Sequence, residues 1–285
     1  MKTGLVLEGG AHRAIYTAGV LDVMMEKGLT FDGVIGVSAG AIYGCSFVSG
    51  QHRRSIDYTL KYAGSKEYMS WYSFLTTGNM VNEEFCYHLL PEKLFPFDHK
   101  AFEQSPQDFY AVCSNLQSGQ AEYIKCPNMH EKYLSYIRAS ASMPFVSRIS
   151  EIDGKKFLDG GICDSIPLAA FRKRGYERCV VVQTRAAGYQ KKKNKLSWLA
   201  PLIYHRYPKF AAAIQNRHLM YNNELKQIEA AQKDGTAFVI RPSRNIKIRH
   251  AETNKEVLQQ VYDLGRSDTL NLWPQLLKFL QKSKS

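Results

Sequence analysis

Apolar residues along this chain fall into short unbroken runs, separated by stretches in which they recur every three or four positions. Gly4-Leu5-Val6-Leu7, Val34-Ile35-Gly36-Val37, Cys179-Val180-Val181-Val182-Gln183-Thr184 and Ala237-Phe238-Val239-Ile240 are runs of the first kind. Runs this short, rich in valine and isoleucine, predict buried strands. Between the first two, Ile15, Ala18, Leu21 or Asp22 and Met25 repeat at helical spacing, predicting a helix from about Ala14 to Lys27 capped by Gly28. Strand, helix and strand in about 30 residues predict a right-handed βαβ unit with parallel strands.

Phe109 to Ser114 and Ala121 to Lys125 flank the turn Leu116-Gln117-Ser118-Gly119 and read as paired strands. A helix is expected from Glu131 to Ala141, ending before Pro144, then a short strand at Lys156-Phe157-Leu158 and a helix from about Lys255. Residues 51 to 106 carry Tyr58, Tyr62, Tyr68, Trp71, Tyr72 and Phe74 without a clean period. They predict helices and loops whose aromatic rings serve either as core or as an acyl-binding wall. With 285 residues and 45% apolar content, the chain reads as a single domain over 1–285. Its motif-bearing core spans 4–184, a basic and aromatic segment 185–217, and a C-terminal strand and helix 236–285.

Composition narrows the setting. No apolar run reaches the roughly 18 residues of a membrane span, and the residues after Met1 lack the apolar core of a secretory signal. A cytoplasmic chain starting at Met1 is therefore expected. Cys45, Cys86, Cys113, Cys126, Cys163 and Cys179 form no CxxC pair, which argues against a zinc site or a disulfide scaffold and predicts reduced thiols. The net charge is +12, and residues 178 to 223 contain no Asp or Glu. Lys191, Lys192, Lys193 and Lys195 there precede Trp198, Leu199, Leu202, Ile203, Tyr204 and Tyr207. That combination suits a lid, or peripheral contact with an anionic membrane surface at the inner membrane face; a solvated linker leading into a packed helix is the alternative. No nucleic-acid module accompanies the charge, so no nucleic-acid partner is expected.

Candidate chemistry begins at Gly36-Val37-Ser38-Ala39-Gly40, between a strand and the helix-compatible stretch Ala41 to Phe47. A strand turning sharply into a helix there makes a nucleophile elbow, exposing the Ser38 hydroxyl over a helix N-terminus. A serine needs a base and donors for the oxyanion. Glu8-Gly9-Gly10-Ala11-His12-Arg13-Ala14 ends the first strand and can turn backbone N–H groups toward the same sheet edge. Asp159, in Leu158-Asp159-Gly160-Gly161, offers the base, although an Asp-Gly pair is also an ordinary turn. A nucleotide site is disfavoured because the loop lacks both GxGxxG and a P-loop Lys-Ser/Thr. A Ser-His-Asp triad would draw on His205, His218 or His250. His12 reads as either a substrate contact or a solvent-facing residue.

Taken together, Glu8-Gly9-Gly10-x-x-Arg13, the Gly36 to Gly40 elbow, Ala139-Ser140-Ala141-Ser142-Met143-Pro144-Phe145 and Asp159-Gly160-Gly161-x-x-Asp164-x-Ile166-Pro167 resemble the patatin-like phospholipase family, in that order. The resemblance implies a three-layer α/β/α sandwich around a central, mostly parallel mixed sheet. It also implies a Ser-Asp dyad cleaving acyl esters of phospholipids, lysophospholipids or related lipids, as a phospholipase A, lysophospholipase or carboxylesterase does. By position, Ser38 is the nucleophile, Asp159 the base, and Gly9, Gly10 and Ala11 with Arg13 the oxyanion site, with no metal or cofactor. Ala11 and Ala14 stand where the family usually has glycines. A methyl at Ala11 disfavours positive φ, so a catalytically weak lipid-binding protein of the same fold is the alternative.

Overall fold

The computed structural model describes residues 1–281. Among them, one sheet is formed by β1 (Thr3–Leu7), β2 (Gly33–Val37), β3 (Asp108–Asn115), β4 (Gln120–Lys125), β5 (Ser150–Ile152), β6 (Lys155–Asp159), β7 (Arg178–Val182) and β8 (Ala237–Ile240). Their order is β5-β6-β3-β2-β1-β7-β8, with β4 also beside β3. The pairs β1–β2, β1–β7, β2–β3 and β7–β8 are parallel. Those joining β3 to β4, β3 to β6 and β5 to β6 are antiparallel. The sheet is thus mixed and mostly parallel, as expected. Of the strands, β5 has no signal in the sequence, because Ser150-Glu151-Ile152 carries a single apolar residue.

The helices are α1 (Ile15–Glu26), α2 (Ala39–Val48), α3 (Arg54–Tyr62), α4 (Trp71–Thr77), α5 (His99–Gln104), α6 (Glu131–Ser140), α7 (Leu168–Arg172), α8 (Ala200–Ile203), α9 (Pro208–Lys233) and α10 (Lys255–Gln281). Strand residues alternate between two cores, which is why the runs read as continuously apolar. Leu5, Leu7, Val34, Val180 and Val182 pack with Ile15, Leu21, Leu258 and Tyr262 on the side of α1, α2 and α10. Val6, Ile35, Val37, Val181 and Val239 pack with Leu168, Phe171, Tyr221 and Ile228 on the side of α7 and α9.

Gly28, at φ 66°, ends α1 as predicted: its N–H donates to the Met25 carbonyl and that of Leu29 to Met24. Across α1 lies α10, close enough that a Cβ on Gly19 would stand 2.1 Å from the Tyr262 carbonyl oxygen, and one on Gly265 2.1 Å from that of Tyr16. Two reciprocal bonds flank this crossing, Tyr16 to Asp268 at 3.1 Å and Tyr262 to Asp22 at 2.7 Å.

Residues 51–106 resolve into α3, α4, a π-helix over Glu84–Leu94 and α5. The basic segment divides. Ala200, Tyr204, Phe210 and Ile214 are buried against Leu116, Leu158 and Ile162, whereas Leu196, Trp198, Leu202 and Ile203 are exposed. The six cysteines are free thiols. Among the described residues no helix is long and apolar enough to cross a membrane, and no three His, Cys, Asp or Glu side chains are grouped to hold a metal ion.

Candidate active site

Strand register alone brings two distant loops together. One edge of β3 is occupied by β4 from Tyr110 to Asn115. The other edge is shared: β2 pairs along it as far as Val37 opposite Val112, and β6 takes over with Asp159 opposite Cys113. Ser38, the residue after β2, is therefore set beside Asp159, the last residue of β6.

Ser38 occupies φ 55°, ψ −126°, a region L-residues avoid and a reservoir of strain at functional turns. Close packing on both sides holds the turn: a Cβ on Gly36 would lie 2.5 Å from the Ala41 Cα, and one on Gly40 2.6 Å from the Leu7 carbonyl oxygen. The Ser38 N–H donates to the Ser140 hydroxyl at 2.9 Å. Its carbonyl accepts from Ala41 and Ile42 and starts α2.

Asp159 is buried. Its backbone N–H donates to the Ser142 carbonyl at 2.8 Å, so the end of α6 braces nucleophile and carboxylate alike. The Gly161 N–H donates to Asp159 Oδ1 at 2.8 Å, and the Ser38 hydroxyl is close enough to the carboxylate to stabilise its charge. Burial raises the Asp159 pKa above the ordinary value, opposed first by the Arg217 guanidinium and then by Ser38, the Gly161 N–H and Lys191. Arg217 is itself anchored, its Nε donating to the Gly161 carbonyl at 2.5 Å.

The loop after β1 is fixed by Glu8, whose buried carboxylate accepts from the Thr184 N–H and the Tyr221 hydroxyl, each at 2.6 Å. Among the described residues the N–H groups of Gly9, Gly10 and Ala11 take no hydrogen-bond partner. Those of Glu8, His12 and Arg13 go to Val182, His250 and Gly10 carbonyls. Ala11 adopts φ 47° in spite of its methyl. The Arg13 Nε donates to Thr184 Oγ1 at 3.2 Å.

His12 corrects the solvent-facing reading: only 3% of it is exposed. Its Nδ1 accepts the Glu252 N–H at 2.8 Å, which leaves the proton on Nε2, and that nitrogen has no partner. Burial lowers its pKa, so the ring is neutral near pH 7. Of the triad candidates, His205 is exposed on the surface, while His218 and His250 line a cavity beside Ser38. None of the three hydrogen-bonds Ser38 or Asp159 among the described residues.

Two cavities meet at Ser38. One, of about 340 Å³, is mostly apolar and walled by Ile42, Met69, Val81, Leu90, Leu134 and Ile137, and His12 and Ser38 also line it. The other, of about 540 Å³, holds Gly9, Gly10, Arg13, Asp159 and Arg217. Ser38, Asp159 and the glycine loop, the candidates of the sequence, are brought together around the second cavity. The sequence offers no role for Ser140 and Ser142, although their motif is visible, and it does not single out Glu8 or Arg217 as parts of a site.

A family model described as patatin-like phospholipase matches residues 5–172, and one described as a domain of unknown function (DUF6363) matches residues 207–281. Escherichia coli K12 protein YjjU is 30% identical over 187 residues, 64% of this chain and 52% of that protein. Lysophospholipase NTE1 of Saccharomyces cerevisiae is 26% identical over 198 residues, 65% of this chain and 11% of that protein. The chain thus spans about half the length of YjjU and less of NTE1. The crystal structure of VipD from Legionella pneumophila superposes with a TM-score of 0.50 at 12% identity, covering 96% of this chain and 67% of that one.

Proposed function

Since the chain belongs to the patatin-like phospholipase family, we propose that it hydrolyses acyl esters of lipids through Ser38 and Asp159. Ser38 Oγ attacks the ester carbonyl while Asp159 takes the hydroxyl proton, and the N–H groups of Gly9, Gly10 and Ala11 receive the oxyanion. Collapse breaks the bond to the alcohol, which leaves with the proton from Asp159, and the acyl group stays on Ser38. Asp159 then deprotonates a water that attacks the acyl-enzyme, and the fatty acid departs as Ser38 regains its proton. These steps need neither metal nor organic cofactor. Each oxyanion donor is worth on the order of 3 kcal/mol of transition-state stabilisation.

The observation that carries this reading is the junction at Ser38: a strained serine beside a buried carboxylate, in the lining of an apolar cavity. Acyl chains of phospholipids, lysophospholipids or related esters suit that cavity, and the unpartnered His12 Nε2–H adds a donor to its lining. The same reading takes residues 1–285 as one domain, supported by the close fit of α10 on α1. It also takes the exposed Trp198 and Leu202, beside lysines, as a contact for anionic membrane at the cytoplasmic face.

A fluorophosphonate probe is expected to label the protein on Ser38, and Ser38→Ala to abolish labelling. Asp159→Asn should cut esterase activity by about 10³-fold or more; undiminished activity in that variant removes the dyad. The second reading, a catalytically weak lipid-binding protein, rests on alanine standing at position 11 in place of a glycine, where the backbone is held at φ 47° at a steric cost. Binding to anionic vesicles with no labelling and no hydrolysis of short or long esters would select it.

A further inference from the structure

The apolar cavity contains a hydrogen-bond donor that no protein atom answers. His12 is 3% exposed, and among the described residues its Nε2 has no partner. That nitrogen carries the proton, because Nδ1 accepts the Glu252 N–H at 2.8 Å and burial keeps the ring neutral. Other polar groups around the cavity are engaged. Arg54 donates to the Phe95 carbonyl at 2.9 Å, and His88 and His130 face Glu92 and Glu103 at 3.9 and 2.9 Å. His99 Nδ1 also lacks a partner, but no bond fixes its tautomer, so it need not be a donor.

Three contacts hold the imidazole in place. The His12 backbone N–H donates to the His250 carbonyl at 3.3 Å, its Nδ1 is held by Glu252, and its ring stacks on Tyr68 with centres 6.1 Å apart and planes 18° apart. The donor is thus set before any ligand arrives. Ala11, His12, Ser38 and Ala39 line the cavity together, on the loops that follow the neighbouring parallel strands β1 and β2. On the hydrolase reading Ala11 receives the oxyanion and Ser38 the acyl group, which places His12 beside the first carbons of the acyl chain. Exposed Glu92, His130 and Glu131 line the cavity where it meets solvent.

An unbroken hydrocarbon chain satisfies the apolar wall but not this donor. It strips water from the Nε2–H and returns no acceptor, the costly case for a buried polar group. A site that aims a donor at a substrate oxygen rejects the analogue lacking it, because its own N–H is then left unpaired. We propose that His12 is a specificity-determining residue that selects acyl groups bearing an oxygen close to the ester, as a hydroxyl or keto group. This rests on the hydrolase reading and narrows its acyl side. The Nε2–H donates to that oxygen, and the remaining carbons lie against Ile42, Leu134 and Ile137.

Three p-nitrophenyl esters that share a leaving group test it: decanoyl, β-hydroxydecanoyl and ω-hydroxydecanoyl. In the wild type the β-hydroxy ester is expected to exceed the other two in kcat/KM by about 10-fold or more. His12→Phe keeps a ring against Tyr68 without the donor and should erase that preference. His12→Gln, whose amide nitrogen reaches about as far as Nε2, should restore most of it. Both variants lose the Glu252 bond, so a merely structural role would affect them alike, and the wild-type comparison needs neither to fold. Equal hydrolysis of the three esters, or a preference for the ω-hydroxy ester, overturns the inference while leaving the hydrolase. So does an equal loss on all three in His12→Phe, which assigns the imidazole to the reacting carbonyl. Where no ester is hydrolysed, calorimetric titration with decanoic and β-hydroxydecanoic acids decides. Tighter binding of the hydroxy acid that His12→Phe abolishes supports the site and removes the hydrolase; equal binding, or none, removes both.

Discussion

At Asp159 a single charge is contested by its surroundings. Burial favours the neutral acid, while Arg217 is the foremost group favouring the carboxylate. A general base must be ionised, so on the proposed mechanism activity falls as pH drops through the raised pKa, and the acid limb of kcat/KM lies above the ordinary aspartate value. Arg217→Met removes the strongest opposing influence. Its acid limb is expected at higher pH than the wild type's in a pH profile on a neutral ester, and an unmoved limb refutes that control. The sequence made Ser38 and Asp159 legible because Gly36 and Gly40 flank the serine and Gly160 and Gly161 follow the aspartate, as tight turns need. Arg217 was not legible, because its place depends on which side of α9 faces the Gly160–Gly161 turn.

Two acidic side chains influence each other where that helix meets the turn. Glu224 on α9 accepts the Ser165 N–H at 3.0 Å, and the neighbouring Asp164 accepts the Tyr123 hydroxyl at 2.7 Å. Burial and the neighbouring Asp164 raise the Glu224 pKa, so the folded protein holds a proton there that the unfolded chain releases. A pKa raised by folding contributes stability at low pH that is lost as pH climbs toward the folded value. Wild-type Tm should therefore decline from pH 6 to 9, and Glu224→Gln should flatten the decline; parallel curves would refute a proton held at Glu224. Strands of the central sheet were readable because burial on both faces leaves unbroken apolar runs. The π-helix over Glu84–Leu94 was not, since its turn matches neither a period of two nor one of 3.6. The crossing of α1 and α10 was equally hidden, because nothing local to Gly19 or Gly265 names its partner.

Around the whole molecule, exposed apolar residues flank the loop that passes Ser38. Trp71, Tyr72 and Leu75 stand on α4, and Leu196, Trp198 and Leu202 lie within 195–203. The loop between them is held from both sides: the Met80 N–H donates to the Val146 carbonyl at 2.9 Å, and the Phe145 N–H to the Tyr204 hydroxyl at 3.0 Å. Lys193 and Lys195 are exposed nearby, and on the proposed reading this face meets an anionic bilayer. Lys193→Gln and Lys195→Gln should each weaken partitioning onto phosphatidylserine vesicles about fivefold at low salt, and the difference should fade at high salt. Trp198→Ala should weaken it at both salt concentrations. Binding indifferent to all three changes places the membrane contact elsewhere.

The seat of His12 has a consequence in time. Its two anchors, the His250 carbonyl and the Glu252 N–H, lie just before α10 and far after Asp159 along the chain. During synthesis the serine, the carboxylate and the amide loop all emerge before the segment that steadies this imidazole and the helix that covers α1. A growing polypeptide thus carries Ser38, Asp159 and the glycine loop well ahead of their final setting, and on the proposed mechanism the order of residues itself delays when the newborn chain can act.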